Sequence, residues 1–522
     1  MTRKRRTSNC PACGGPVTFG LSTALVTICD FCSAVVARGD KQLEDHGKVA
    51  DLVETNSPVE RGMQGTFRKK SFEIAGRVQY QHPAGGVWNE WYLQFPGDRV
   101  GWLAEAQGKF YLTMPREISS STEIPDYDSL TPGDRITIAD GMTLAVAEKG
   151  VARAASASGS IPWDFRPQAE HRFADLHAED RGFATIDYSQ DHPQLFVGRE
   201  VSLKELKLQG GNGEGFAASD TISVGGLQLS CPQCAGPLTL HAPDQSLRVS
   251  CPSCHALLDC QHGNLSYLQT LHGEVEKPLI PLGSTGSLMN DEYTVIGFMV
   301  RYAVYEGRDY PWTEYLLYQP EKGFRWLVRN KGHWSFVEPL SVADLSATRG
   351  DKIRYQGTTF RVYDRGIAYV RYVVGEFYWK VSATEQVVTA DYIAPPRMLS
   401  LERSDVQDKS GELNVSLGTY LEKETVEQAF KIKELPSPWG TGTIQPKPSY
   451  GDVWGFWLLF GAVLFGLKYL FGAISVPVEG FFFVVSLLVI SAPPALLFFL
   501  NHLFEVNRWK DSEFSPYASS DE

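Results

Sequence analysis

Cys10-Pro11-Ala12-Cys13, fifteen residues, then Cys29-Asp30-Phe31-Cys32: this stretch decides how the chain folds, and it occurs twice. The second copy runs from Cys231-Pro232-Gln233-Cys234 through sixteen residues to Cys251-Pro252-Ser253-Cys254. A C-x2-C pair at a tight turn sets two thiolates on one side of an ion, and two such pairs on facing hairpins close a tetrahedron. The spacing predicts two structural zinc ions, one on Cys10, Cys13, Cys29 and Cys32, the other on Cys231, Cys234, Cys251 and Cys254. A disulfide pair or an iron–sulfur cluster is the alternative. Such ribbons often need their metal to fold. Eight of the nine cysteines are thereby used. Cys260 aligns with Arg38 and reads as filler or a surface thiol. His255 aligns with Ser33 and reads as an ordinary surface histidine rather than a fifth ligand.

The chain's 522 residues suggest two to four domains. A net charge of −12 argues against nucleic acid as the main partner, because phosphate binding needs a concentrated basic surface. The basic start, Met1–Arg6, is followed by no clean apolar core, so no signal peptide is expected. It reads as a solvated terminus, with lipid headgroups as the sharper alternative. Thiolates kept for metal imply a reducing compartment.

Outward from the clusters, the expected fold is mainly β. Tandem zinc ribbons at 7–38 and 228–262 each head a small β-barrel or sandwich-like domain, at 60–208 and 278–432. Alternation marks strands in Phe72–Tyr80 and Trp88–Phe95, with Gly97-Asp98 and Gln107-Gly108 as turns. Lys41–Asn56 reads as a polar, weakly helical connector, and the chain from about Ala157 to Pro193 as irregular. Glycine-rich Gln209–Gly215 lacks the strand–turn–helix frame of a phosphate cradle and reads as a linker.

The two blocks match in order. Gly65 pairs with Gly286, Trp88-Asn-Glu-Trp with Trp312-Thr-Glu-Tyr, Trp102 with Trp326, Gly133-Asp with Gly350-Asp, and Gly159 with Gly375. A proline-rich spacer is expected at 435–450. Transmembrane helices are expected at 453–474 and 481–500, each long enough for a bilayer core of about 30 Å. Lys468 would snorkel and Pro493-Pro494 would kink the second span. Only 475–480 separates the two, which makes a hairpin. Lys447, Arg508 and Lys510 flank it, so the positive-inside rule places both ends, and a tail at 501–522, in the cytosol.

Glu90 and Glu314 hold the same place in the two blocks, two residues after a tryptophan. A carboxyl beside an aromatic can serve as a general acid or base. Alternation offers a plainer reading, with Trp88, Glu90 and Tyr92 on one sheet face. No nucleophile, open metal site, P-loop, HExxH or GxSxG accompanies either glutamate.

The paired ribbons, the Trp-x-Glu-aromatic strands, the Gly-x-x-x-Trp turns and Arg508-Trp-Lys-Asp-Ser-Glu-Phe-Ser-Pro516 together resemble the bacterial membrane proteins that carry the domain of unknown function DUF4178. The second block fits the pattern better than the first. The resemblance implies attachment to the bacterial inner membrane with the large domains in the cytosol, and a role in envelope stress or membrane maintenance. It implies no catalytic residue. The leading expectation is a non-enzymatic scaffold that recruits or holds protein partners at the lipid bilayer. A hydrolase of a lipid or small molecule, acting through Glu90 or Glu314, is the alternative. The sequence leaves open whether the chain forms a homo-oligomer.

Overall fold

The computed structural model describes residues 6–19, 24–38, 43–50, 52, 57–81, 87–106, 109–118, 124–138, 141–210, 227–242, 245–261, 264–271, 276–347, 351–382, 385–404, 411–448, 451–473 and 480–517. Residues 1–5 of the basic start, the connector from 211 to 226 and the turn 474–479 lie outside the described residues, as does the Lys468 side chain.

Each ribbon is two short hairpins. Arg6–Asn9 pairs with Pro16–Phe19 and Val26–Ile28 with Ala34–Arg38 in the first. Leu227–Ser230 pairs with Pro237–Leu240 and Arg248–Ser250 with Ala256–Gln261 in the second. A further strand extends each ribbon, Leu43–Lys48 and Asn264–Thr270. The first of these falls where the sequence suggested a helical connector. Its polar side chains mostly face solvent, which hides the strand period.

Strands of the two β domains are numbered in chain order. The first domain has β1 (Lys70–Gln81), β2 (Val87–Phe95), β3 (Arg99–Ala106), β4 (Lys109–Arg116), β5 (Thr143–Ile161), β6 (Glu170–Ala178), β7 (Gly182–Asp187) and β8 (Gln194–Val201). They pair antiparallel in the order β1-β2-β3-β4-β8-β7-β6-β5 and back to β1, a closed eight-strand ring. The second domain has β9 (Asp291–Tyr305), β10 (Arg308–Gln319), β11 (Gly323–Asn330), β12 (His333–Leu340), β13 (Thr358–Phe377), β14 (Gln386–Ala394), β15 (Arg397–Ser404) and β16 (Gly411–Leu421). It closes in the same order, β9-β10-β11-β12-β16-β15-β14-β13 and back to β9. A closed ring leaves no unpaired edge.

The stretch before Pro193, expected to be irregular, contains β6 and β7. Along β6, His171, Phe173, Asp175 and His177 alternate with Arg172, Ala174, Leu176 and Ala178. One face is packed with small apolar groups and the other carries titratable ones, so the hydrophobic period is faint although the strand is regular.

Glycines permit the closure. Gly159 and Gly375 have φ of +76° and +93°, and a Cβ would meet the carbonyl oxygens of Ala75 and Ile296 at 2.5 and 2.3 Å. At this crossing the long strands β5 and β13 leave the ring and pick up a ribbon hairpin. Ser160 pairs with Thr27, and Gly375 with Ser250. A short helix follows each ring, α1 (Leu203–Leu206) and α2 (Lys423–Phe430). Apolar clusters cover the outer faces. One joins Ile74, Trp91, Leu93 and Leu103 to Val59, Met63 and Leu206, and its counterpart joins Phe298, Tyr315, Leu317 and Leu327 to Val426 and Phe430.

The rings touch. Glu148 and Lys149 of β5 pair with Glu412 and Gly411 of β16, and Ala145 enters the cluster of Val342, Leu345, Phe360 and Leu399. The described part of the proline-rich segment, 435–448, packs on the second ring. Leu435 and Ile444 are buried, and Trp439 N–H donates to the Lys331 carbonyl at 3.0 Å. Two long helices follow, α3 (Gly451–Ala473) and α4 (Gly480–Arg508), and α4 continues through Pro493 and Pro494.

Among the described residues no helix is long and apolar enough to cross a membrane, so the expected transmembrane hairpin is not shown. Many side chains of α3 and the first part of α4 lie outside the described residues. Arg508, read as a cation beside the membrane, is fully buried. It donates to the carbonyls of Gly442 (3.3 Å), Thr443 (2.9 Å) and Gln445 (2.7 Å) and pairs with Glu505. With Trp509 packed on Ile393, Ile444 and Tyr363, it fixes the end of α4 to the second ring.

Candidate functional site

Each cysteine pair is placed by the backbone of a tight turn. In each C-x2-C turn the residue after the second cysteine is left-handed: Gly14, Ser33, Ala235 and His255 have φ of 75°, 56°, 56° and 57°. Its N–H closes on the first cysteine's carbonyl at 2.8–3.0 Å, from Gly14 to Cys10, Ser33 to Cys29, Ala235 to Cys231 and His255 to Cys251. His255 therefore holds a turn position, and it is not among the residues whose ligand atoms converge.

The turns bring Cys10, Cys13, Cys29 and Cys32 together, and likewise Cys231, Cys234, Cys251 and Cys254, with all sulfurs of a set within 4.8 Å. Cys10 and Cys32 Sγ lie 3.8 Å apart, Cys13 and Cys29 3.7 Å, Cys231 and Cys254 3.8 Å, and Cys234 and Cys251 3.9 Å. A tetrahedron with zinc–sulfur bonds of about 2.3 Å has edges of about 3.8 Å. Directly bonded sulfurs would lie about 2.05 Å apart, so these are not disulfides. Burial pushes the Cys254 thiol up to about 12. A coordinating cation reverses such a shift by taking the thiolate directly. With four thiolates converging, the donor set fits a closed structural ion. Cys260 is buried beside the second cluster and fills space between Leu258 and Leu265.

The cavities of the two rings form the second candidate. Glu90 and Glu314 are placed by strands β2 and β10, and both point inward. Trp88 on β2 packs at 5.6 Å on Phe173 of β6, and Arg301 on β9 reaches Glu402 of β15 at 2.8 Å. Neither pair belongs to neighbouring strands, so these contacts cross the ring. A cavity of about 2220 Å³ runs along the two walls and is lined by Trp88, Glu90 and His171 and by Arg301, Glu314 and Glu402.

Register makes the two walls equivalent. Trp88 faces Tyr80 as Trp312 faces Arg301. Thr185 faces Asp175 as Ser400 faces Asp391. Asp187 and Glu402 follow two residues later on the same face. The polar contacts repeat as well. Trp88 Nε1 donates to Glu90 at 3.2 Å and Trp312 Nε1 to Glu314 at 2.6 Å. Thr185 Oγ1 donates to Asp175 at 2.7 Å and Ser400 Oγ to Asp391 at 2.6 Å.

The walls differ in their cation. In the second ring Arg301 bridges Glu314 (3.3 Å) and Glu402 (2.8 Å) and lies over the Trp312 ring at 5.7 Å. In the first ring that position is Tyr80, and His171 Nδ1 lies 3.6 Å from Asp187. Burial is the main reason that Glu90 and Glu314 sit above the usual carboxylate range, opposed by His171 and Arg301 respectively. Burial pushes Asp391 up to about 7 and holds His177 down at about 4.

Sequence comparison located Glu90 and Glu314 but missed Asp175, Asp187, Asp391, Glu402, His171 and Arg301. The signal was the internal match itself, carried past Gly159 and Gly375 to the acidic pairs Asp175/Asp391 and Asp187/Glu402, at near-constant spacing.

No curated protein and no solved structure matches the chain. The model of one family, described as a domain of unknown function (DUF4178), matches residues 60–203 and again 281–423, each match covering one ring. Two copies of that unit cover more than half of the 522 residues, and the chain belongs to the DUF4178 family.

Proposed function

We propose that the protein is a zinc-stabilised scaffold held at a membrane, which recruits or retains protein partners and performs no catalysis of its own. One observation carries the reading. From α3 and α4, Phe456, Tyr469 and Phe498 stand outward with 73, 84 and 76% exposure, on segments (453–474 and 481–500) that hold one charged residue, Lys468. Apolar surface on that scale needs cover, and hydrocarbon is the cover that two adjoining helices of 23 and 29 residues suit. The docked Arg508–Ser512 segment would then keep the rings at the bilayer surface. The positive-inside rule would put them in the bacterial cytosol, where free thiolates survive.

The test is fractionation followed by a pull-down in mild detergent. The intact chain should remain with membranes through an alkaline wash and should bring down a partner protein. Recovery in the soluble fraction contradicts attachment, and a strictly monomeric chain without a partner contradicts the scaffold.

The hydrolase reading retains one favourable observation: Glu90 and Glu314 both line the cavity with raised carboxyls. Unchanged cellular function in a Glu90→Gln/Glu314→Gln chain would remove it.

A further inference from the structure

The second ring carries its own guide to what the first ring takes. Inside it, Glu314 and Glu402 hold one guanidinium, with Asp391 on the same face, and that cation is the chain's own Arg301, 8% exposed and set over an indole. Inside the first ring the same three places hold Glu90, Asp175 and Asp187, tied by the same Trp and hydroxyl donors. The arginine's place is taken by Tyr80, which brings a phenol and no charge.

Around Glu90 the rings form a box. Tyr80 lies 5.3 Å from Trp88 and 4.8 Å from His171, Trp88 lies 5.6 Å from Phe173, and His171 stacks on Phe173 at 5.9 Å. Aromatic faces beside carboxylates favour a desolvated cation, through ring quadrupole and Coulomb attraction together. Trp88, Glu90, His171 and Phe173 all line the open cavity. Carboxylates withdrawn from water are costly unless paired. In the second ring that requirement is met by Arg301; in the first, Asp187 has the His171 ring at 3.6 Å and Glu90 accepts from Trp88 while facing the cavity.

We propose that the first ring is a binding site for an organic cation, a guanidinium or primary ammonium on a short apolar stem. The charge sits against Glu90 at the cavity wall, beside the His171–Asp187 pair, and the stem lies along Trp88 and Phe173. The second ring is the same site closed by Arg301. This site does not depend on membrane attachment or on a protein partner.

The experiment is titration calorimetry of the full chain in detergent with n-butylguanidinium and n-butylammonium, and with n-butanol as the neutral control. The cations should bind at one site per chain and butanol at least tenfold more weakly. Glu90→Gln, close to isosteric, should weaken the cations at least tenfold. Tyr80→Arg, which installs the second ring's internal cation, should abolish their binding. Circular dichroism and metal content matching the parent chain establish that each variant is folded. Absent cation binding, equal binding of butanol, or cation binding unaltered in folded Glu90→Gln overturns the proposal. Should Tyr80→Arg not fold, Glu90→Gln alone decides.

Discussion

Arg301 shows why a buried charge has to be counted with its partners. It neutralises Glu314 and Glu402, which lie on strands four places apart around the eight-strand ring, so it also ties opposite walls together. Removing one member of a buried pair leaves the others uncompensated, at about 3–5 kcal/mol. Arg301→Met should therefore destabilise the second ring by about that amount in denaturant titration. Adding Glu314→Gln and Glu402→Gln to it should recover much of the loss.

Asp391 gives a pH signature at the same scale. Its pKa rises from 3.8 to about 7 in the folded chain, so between those values the native state holds the proton more tightly than the unfolded one. Stability contributed by this group is then greatest below about pH 4 and is lost as pH rises through 7. Protonation of the ribbon thiolates acts in the opposite sense, so the clean quantity is the difference between parent and Asp391→Asn. The variant should lack the downward slope, a gain relative to the parent of about 1–2 kcal/mol at pH 8 after allowance for partial solvation. Parallel pH profiles would contradict the assignment.

At the scale of elements, what the sequence revealed and what it hid follow from which face of a strand was apolar. The ribbons were legible because a four-residue spacing dictates a turn, and the left-handed residues after Cys13, Cys32, Cys234 and Cys254 need no tertiary information. Strands β1 and β2 were legible because aromatic residues alternate along them. β6 was not, since its inward face carries His171, Asp175 and His177 and its outward face carries alanines. The proline-rich segment has a linker's composition, and residues 435–448 are held by partners distant in sequence, Lys331 and Arg508.

The matching Gly159 and Gly375 were visible as a repeat, and their purpose was visible only in three dimensions. Gly375→Ala should cost about 2 kcal/mol or more, because it combines a left-handed backbone with a Cβ at 2.3 Å from the Ile296 carbonyl oxygen. Gly307→Ala, also at positive φ but with nothing within 4 Å, should cost less, which separates crowding from backbone strain in thermal unfolding. At the first ring's closing helix, Ser202 and Glu205 form a reciprocal cap, so Ser202→Ala should lose about 1 kcal/mol.

Across the whole molecule, one ribbon-and-ring unit occurs twice, and the copies are joined through β5, β16 and the cluster around Ala145. The second copy additionally receives the chain's end. Arg508→Met would leave the carbonyls of Gly442, Thr443 and Gln445 short of donors. It should expose residues 435–448 and 508–517 to hydrogen exchange while the first ring remains protected. Equal deprotection of both rings would show that the tail stabilises the molecule globally rather than locally.

Both copies stand on the clusters at Cys10–Cys32 and Cys231–Cys254, because each ribbon pairs directly with a ring strand. The most direct measurement is metal content by elemental analysis of the purified chain, repeated on Cys13→Ser/Cys29→Ser and Cys234→Ser/Cys251→Ser. The account predicts two zinc ions in the parent and one in each variant. Iron in place of zinc, or a parent chain that is folded and carries no stoichiometric metal, would contradict it.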